Sequence, residues 1–199
     1  MLALALDTAT EASSAALVRD GDVLGERPTT AATVLESFEE LLAGAGEARA
    51  AVTRVVVGRG PGRYTSLRMG LVTARALAYS LGAELVGVGT LEALAAGSPG
   101  ALPIVDARRR EIFTLAHGAI CARPDELSIA PGRVCVGDGA VRYRDVLEAA
   151  GAVIPADDDP RHVPWARLHV RIAETAPGPA EPIYLRLPDA EQAIARAAG

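Results

Sequence analysis

The sequence predicts an α/β protein, and three observations carry that prediction. Residues 2–6, 14–19, 23–26, 55–57 and 85–88 are short apolar or alternating runs of strand length. Residues 31–45 and 65–81 instead repeat their apolar positions every three to four residues, the period of an amphipathic helix. The two periods alternate along the first half as β-β-β-α-β-α-β-α, a three-strand meander continued by crossover units.

Each element has a local reason. Leu2, Leu4 and Leu6 alternate with Ala3 and Ala5, so this strand can be buried on both faces. Asp20-Gly21-Asp22 is a turn signal between residues 14–19 and 23–26, which predicts a hairpin. Over 31–45, Val34/Leu35, Phe38, Leu41/Leu42 and Ala45 recur at helical spacing, with Glu36, Glu39 and Glu40 on the other side and Gly44 and Gly46 at the end. Val55-Val56-Val57 runs into Gly58-Arg59-Gly60-Pro61-Gly62. A long helix follows over 65–81, capped by Thr65 and stopped by Gly82, then a strand over 85–88 and a helix over 91–96. In the second half, 104–107 and 112–117 predict a strand pair around Arg108-Arg109-Arg110. A short strand over 134–136 precedes Gly137-Asp138-Gly139. Residues 145–150 and 163–175 predict helices, Asp157-Asp158-Asp159-Pro160 a loop, and 182–187 a final strand. A repeat enters only as two related halves, the second reduced.

Composition closes off several functions. Of the 199 residues, 25 are acidic and 20 basic, and every basic one is arginine. Without lysine there is no Walker A phosphate loop and no Schiff-base chemistry. The net charge of −5 repels a phosphate backbone on average, although a local arginine patch is compatible with it. Cys121 and Cys135 have neither CxxC nor zinc-finger spacing and read as reduced thiols. The apolar start is broken by Asp7 after six residues and has no basic segment before it, which argues against a signal peptide or membrane span. A soluble cytoplasmic protein is expected.

Few residues suggest chemistry. Asp7-Thr8-Ala9-Thr10, at the end of the first strand, can approach a nucleotide's phosphates or simply satisfy backbone groups; taken alone, the second reading is favoured. Gly58–Gly62 between strand and helix suits an anion at a helix N-terminus, or a rigid turn packing the two closely; it is not GxGxxG. His117, His162 and His169 lack HxxxH or HExxH spacing, so no zinc-hydrolase set is expected, and His162 and His169 read as surface residues. No GxSxG elbow is present. Asp157–Asp159 reads as a solvated loop, and Arg108–Arg110, the densest basic cluster, as a polar turn.

The helix over 65–81 has two apolar stripes. Leu67, Gly70/Leu71, Ala74, Ala78 and Leu81 form one; Met69, Val72, Ala76 and Tyr79, flanked by Arg68 and Arg75, form the other. A surface helix needs one. The second implies either burial between layers or a partner surface, where small residues admit a close neighbour and arginine is favoured.

Six stretches, LALALDTATEASSAAL, VVVGRGPGRYTSLRMGLVTARALAYSLG, LVGVGTLEALA, IVDARRREIF, GDGA and PIYLRLPDAE, spread over nearly the whole chain, together resemble the bacterial threonylcarbamoyladenosine-biosynthesis family TsaB (YeaZ-like). The resemblance implies an actin/Hsp70/sugar-kinase-like (ribonuclease-H-like) fold of two lobes, 1–97 and a reduced 98–199. It implies a non-catalytic subunit that pairs with and activates TsaD, the related protein that transfers threonylcarbamoyl to an adenosine beside the anticodon. A small ATPase, TsaE, joins that assembly, and a homodimer forms through the same helices when TsaD is absent. The expected contact residues are Phe38, Arg68, Met69, Val72, Arg75, Ala76 and Tyr79. TsaD-type proteins carry a metal-binding histidine pair; no metal site is expected here. Asp7, Thr8 and Thr10 keep the family's DTST-like segment, which lacks the glycine of true phosphate-binding members, so no tightly bound cofactor is expected, and only weak ATP and Mg binding in the assembled complex. The family's GPGSFTG is Gly60-Pro61-Gly62-Arg63-Tyr64-Thr65-Ser66 here, and its His-Ser-Glu is Thr30-Ala31-Ala32, so contacts made through those side chains do not carry over. Transfer RNA is expected to be met only indirectly. The alternative is an ATP-dependent phosphotransferase of the same superfamily using Asp7, and direct tRNA binding is a third possibility.

Overall fold

A computed structural model describes residues 1–116 and 118–186. The predicted first half is present in full: β1 (Leu2–Asp7), β2 (Ser14–Arg19), β3 (Asp22–Pro28), α1 (Val34–Ala45), β4 (Val52–Gly58), α2 (Tyr64–Leu81), β5 (Glu84–Val88) and α3 (Thr90–Gly97). The strands form one sheet in the order β3-β2-β1-β4-β5, antiparallel through the hairpin and parallel from β1 to β4 and β5. The alternation in β1 sorts the two faces. Leu2, Leu4 and Leu6 join Val34, Phe38 and Leu42 of α1 and Leu67, Leu71 and Ala74 of α2 in one core. Ala3 and Ala5 face the other way, where their small size admits α6 (Ala166–Ala173) through Ala166, Val170 and Ala173.

The second sheet contains β6 (Leu102–Arg108), β7 (Glu111–Thr114), β8 (Ile120–Ala122) and β9 (Cys135–Val136), followed by α4 (Asp138–Arg142) and α5 (Arg144–Ala149). Its order is β8-β7-β6-β9, again an antiparallel hairpin with a parallel strand beside its first member. This repeats the pattern β3-β2-β1-β4, so the two halves are related and the second is the smaller. Leu91 and Leu94 of α3 pack on this sheet with Val105 and Phe113. α3 also touches α6, so these two helices lie between the sheets.

Several expectations need correction. α1 begins at Val34 rather than residue 31, because Thr29, Thr30 and Thr33 form a hydroxyl-bonded turn before it. Thr65 is not the cap of α2: Arg63 is extended, held by its N–H on the Ala9 carbonyl (2.7 Å), and the helix starts at Tyr64. Gly82 does end it, at φ +63°. The final strand over 182–187 is absent from its described part, residues 182–186. That segment is held by the Ile183 N–H on the Arg59 carbonyl (2.8 Å), with the Gly178–Gly87 bridge just before it, and Leu187 lies outside the described residues. β8 and α4 were not foreseen; both are too short to show a period.

The turn between β6 and β7 is unusual. Arg108 faces Glu111, leaving Arg109-Arg110 as the two-residue loop, and Arg108, Arg109 and Arg110 have φ of +63, +55 and +63°. Each such residue costs about 1–2 kcal/mol when it carries a Cβ.

Candidate functional site

The two sheets each end their first strand near an aspartate, and the two carboxylates differ in their surroundings. Asp7, at the end of β1, is fully buried. Its Oδ1 accepts from the Ala9 N–H (2.7 Å), and its Oδ2 accepts from the Thr90 hydroxyl (2.7 Å) and from His169 Nε2 (2.8 Å). Gly58, at the end of the neighbouring β4, is what makes room: a Cβ there would sit 2.3 Å from the Asp7 carboxylate carbon. The reading of His169 as a surface residue is therefore corrected. It is 0% exposed because α6 crosses the sheet directly behind Asp7. His162 is also buried, its Nδ1 accepting from the Gly137 N–H (3.0 Å). His117 lies outside the described residues.

Thr8 donates its hydroxyl to the Ser66 carbonyl (2.7 Å), tying the Asp7–Thr10 segment to the start of α2. Thr10 is buried, and its hydroxyl has no hydrogen-bond partner among the described residues. The glycine-rich loop faces inward too. Arg59 N–H bonds the Val88 carbonyl and the Gly60 carbonyl accepts from Thr90 N–H, so the loop packs strand against helix.

In the second half Asp106 occupies the corresponding position on β6. Its Oδ1 accepts from Arg108 N–H (2.9 Å) and the Tyr143 hydroxyl (3.2 Å), while Arg108 and Arg142 lie on its Oδ2 side. Gly139, after β9, takes the role of Gly58: a Cβ there would meet Asp106 N at 2.8 Å. Asp138 Oδ1 accepts from Asp106 N–H (3.0 Å) and its Oδ2 faces Glu11 N–H (3.4 Å), joining the halves.

These groups line a cavity of about 450 Å³ with Glu11, Asp157, Asp158, Asp159, His162 and Arg142. A polyphosphate would meet six carboxylates and one arginine there, and the Asp7 oxygens are already filled. The lining of this cavity is unfavourable to a polyphosphate in the lone chain. Among the described residues no three His, Cys, Asp or Glu side chains are grouped to hold a metal. Burial pushes the Asp138 carboxyl up to about 6, with the Asp106 charge adding repulsion and the backbone N–H groups of Asp106, Glu11 and Gly139 opposing. Beside Arg161, Asp159 is held down at about 2. Because the folded Asp138 keeps its proton above the ordinary carboxylate range, its contribution to stability is present below about pH 4 and lost as pH rises through about 6. The full shift corresponds to about 3 kcal/mol, lowered to about 2 by the partial exposure of Asp138. In urea melts, Asp138→Asn is therefore expected to gain about 2 kcal/mol on the wild type between pH 4 and pH 7.

The expected contact residues divide. Phe38 is corrected: it is 1% exposed, one turn from Val34 and Leu42 on the inward stripe of α1, and belongs to the core. Phe38→Leu is expected to lower stability by about 1–2 kcal/mol in urea melts. Met69, Val72, Ala76 and Tyr79 share the outer face of α2, with Val72 64% and Tyr79 92% exposed. Arg68 and Arg75 are exposed but engaged with the C-terminal segment. Arg68 Nε donates to the Tyr184 hydroxyl (2.6 Å), and Arg75 Nη2 donates to the Ala180 carbonyl (2.8 Å). Leu35, 51% exposed on α1, was not singled out because it sits beside Val34 in the same apolar pair. Among the described residues no helix is long and apolar enough to cross a membrane.

Comparison with known proteins agrees with this architecture. The profile of the family described as "TsaD: tRNA N6-adenosine threonylcarbamoyltransferase" matches residues 29–139. A protein of Mycobacterium tuberculosis is 34% identical over 204 residues, taking in 94% of this chain and 93% of the relative. The Escherichia coli "tRNA threonylcarbamoyladenosine biosynthesis protein TsaB" is 40% identical over 126 residues, 57% of this chain and 53% of that one. The solved structure of YeaZ from Pseudomonas aeruginosa superposes with a TM-score of 0.77 at 27% identity, covering 92% of this chain and 99% of that one. Two related sheets of this order, with helices between and outside them, define a reduced protein of the actin/Hsp70/sugar-kinase-like class. Within that class, the chain belongs to the TsaD-like family, in its TsaB/YeaZ group.

Proposed function

We propose that this chain is a non-catalytic subunit of a tRNA threonylcarbamoyltransferase assembly, holding TsaD through the outer face of α2 and thereby activating it. Kinship with TsaB proteins supports involvement in threonylcarbamoyladenosine biosynthesis. The observation that carries the pairing role is the exposed row Met69, Val72, Ala76 and Tyr79 on a helix whose opposite face already fills the core. An apolar row of this kind marks an interaction surface. The small Ala76 at its centre admits a partner helix, and a stable pair needs about 1,200–2,000 Å² of total buried area. A TsaD-like partner has a related fold and brings a related helix face. The same face supports a homodimer in its absence, and TsaE joins the pair.

The filled Asp7 carboxylate supports the non-catalytic reading over the phosphotransferase one. In this reading the lone chain holds no nucleotide tightly, ATP and Mg enter with the assembled complex, and the protein works in the cytoplasm. Size-exclusion chromatography with light scattering tests it, on the chain alone and mixed with TsaD of the same organism. A stoichiometric heterodimer that replaces any homodimer is expected; no complex, with or without TsaE and ATP, rejects the pairing.

A further inference from the structure

The hairpin tip between β6 and β7 puts two exposed arginines, Arg109 and Arg110, at left-handed backbone positions. A two-residue loop of this kind selects Asn-Gly or Asp-Gly, because both positions need φ above zero. Strained residues of this sort collect where a function requires them. The surroundings indicate which. Arg108 and Arg63 share the Glu11 carboxylate. Next to Arg63, the Tyr64 ring stacks on Tyr184 with centroids 5.4 Å apart, and the Arg68 guanidinium lies 4.1 Å over Tyr64. Two residues past Tyr184, Arg186 pairs with Glu111, which follows Arg110. The contacts close a circuit: among the described residues, six arginines and two partly exposed tyrosines border one surface, where Glu11, Glu111 and Asp106, beside Arg108, are the carboxylates paired with them, and the acidic cavity opens on the Glu11 side.

We infer that this ring contacts RNA directly, its arginines on phosphate oxygens and the Tyr64–Arg68–Tyr184 stack receiving an unpaired base. Phosphate contacts position an RNA, and aromatic faces with arginine planes hold its unstacked bases. An acidic protein segment would match the charge but leave the stacked rings unused. The ring lies at the N-terminal end of α2, beyond the apolar row assigned to TsaD. The choice of RNA rests on the proposed role in tRNA modification, and it replaces the expected indirect encounter by a direct one.

The test is fluorescence anisotropy of a labelled, unmodified tRNA transcript with the full chain, at 50 and 200 mM salt. The wild type is expected to bind with a Kd of about 10⁻⁴–10⁻⁶ M that weakens as salt rises. The double substitution Arg109→Asn, Arg110→Gly removes two charges while giving the turn the residues it favours. It is expected to raise the melting temperature and weaken binding. With two fewer phosphate contacts at a slope of about −0.7 each, its loss between the two salts should be roughly sevenfold smaller. Tyr184→Ala is expected to weaken binding with little change in salt slope. No salt-dependent binding by the wild type, equal binding by the double variant, or equal displacement by tRNA and by polyglutamate of matched charge overturns the inference. TsaD pairing is read separately by light scattering, so failure of pairing and failure of RNA contact are distinguishable.

Discussion

Asp7→Ala is expected to lower the unfolding free energy by about 3–5 kcal/mol in urea. The reason is what the carboxylate leaves behind. Ala9 N–H, the Thr90 hydroxyl and His169 Nε2 all lie in fully buried surroundings and all point at Asp7. An unsatisfied buried donor costs about 1–3 kcal/mol, and bonds to a charged acceptor are the stronger kind. Gly58, which lies against the carboxylate, has no side chain to replace the lost oxygen atoms. Asp7→Asn keeps the shape and part of the bonding, so it should fall between wild type and Asp7→Ala. A phosphotransferase aspartate open to its substrate would give the opposite pattern. Stability would then change by less than about 0.5 kcal/mol, and Mg-ATP binding would be lost. Isothermal titration beside the urea melts separates the two outcomes.

Val72→Glu is expected to abolish pairing with TsaD while leaving the fold intact. Val72 is 64% exposed on the outer face of α2, so the carboxylate stays hydrated in the free chain and stability should move by less than about 0.5 kcal/mol. In a closed interface the same carboxylate is stripped of water beside Met69 and Ala76 with no cation assigned to it. Arg68 and Arg75 are held by Tyr184 and Ala180. A penalty of about 3 kcal/mol or more follows, at least a hundredfold in Kd. Light scattering of the mixture reads the loss, and circular dichroism checks the fold. A complex of undiminished affinity places the TsaD contact elsewhere.

How much of this was legible in the sequence depended on distance along the chain. The first sheet was, because local signals decide it. Leucines and alanines alternate in β1, an Asp-Gly-Asp turn joins β2 to β3, and α1 and α2 repeat at helical period. The outer row of α2 was legible as well, but only the structure separates burial between layers from exposure. The partner of Asp7 was not. His169 follows it by 162 residues, and seven residues after His162 with Pro164 between them it forms no ligand spacing, so nothing local marks it as the partner of a buried carboxylate. Phe38 failed for the converse reason. A large aromatic at helical spacing fits a core as well as a partner face, and its depth under α1 is set by tertiary packing. The Arg108–Arg110 turn was placed correctly, but its left-handed backbone has no sequence signature: the residues that announce such a turn are absent.

The return of α6 to the first sheet has a consequence for synthesis. The sheet's rear face, Ala3, Ala5, Ala16, Val18, Val56, Val86 and Val88, is complete once Val88 has been added, whereas its cover ends at Ala173. At about 5–20 residues per second, the ribosome takes roughly 4–17 s to supply those intervening 85 or so residues. For that interval the nascent chain carries a bare apolar sheet face. Translation arrested between α3 and α6 should therefore yield a species that chaperones hold or that aggregates, and release of the remaining chain should rescue it in one step.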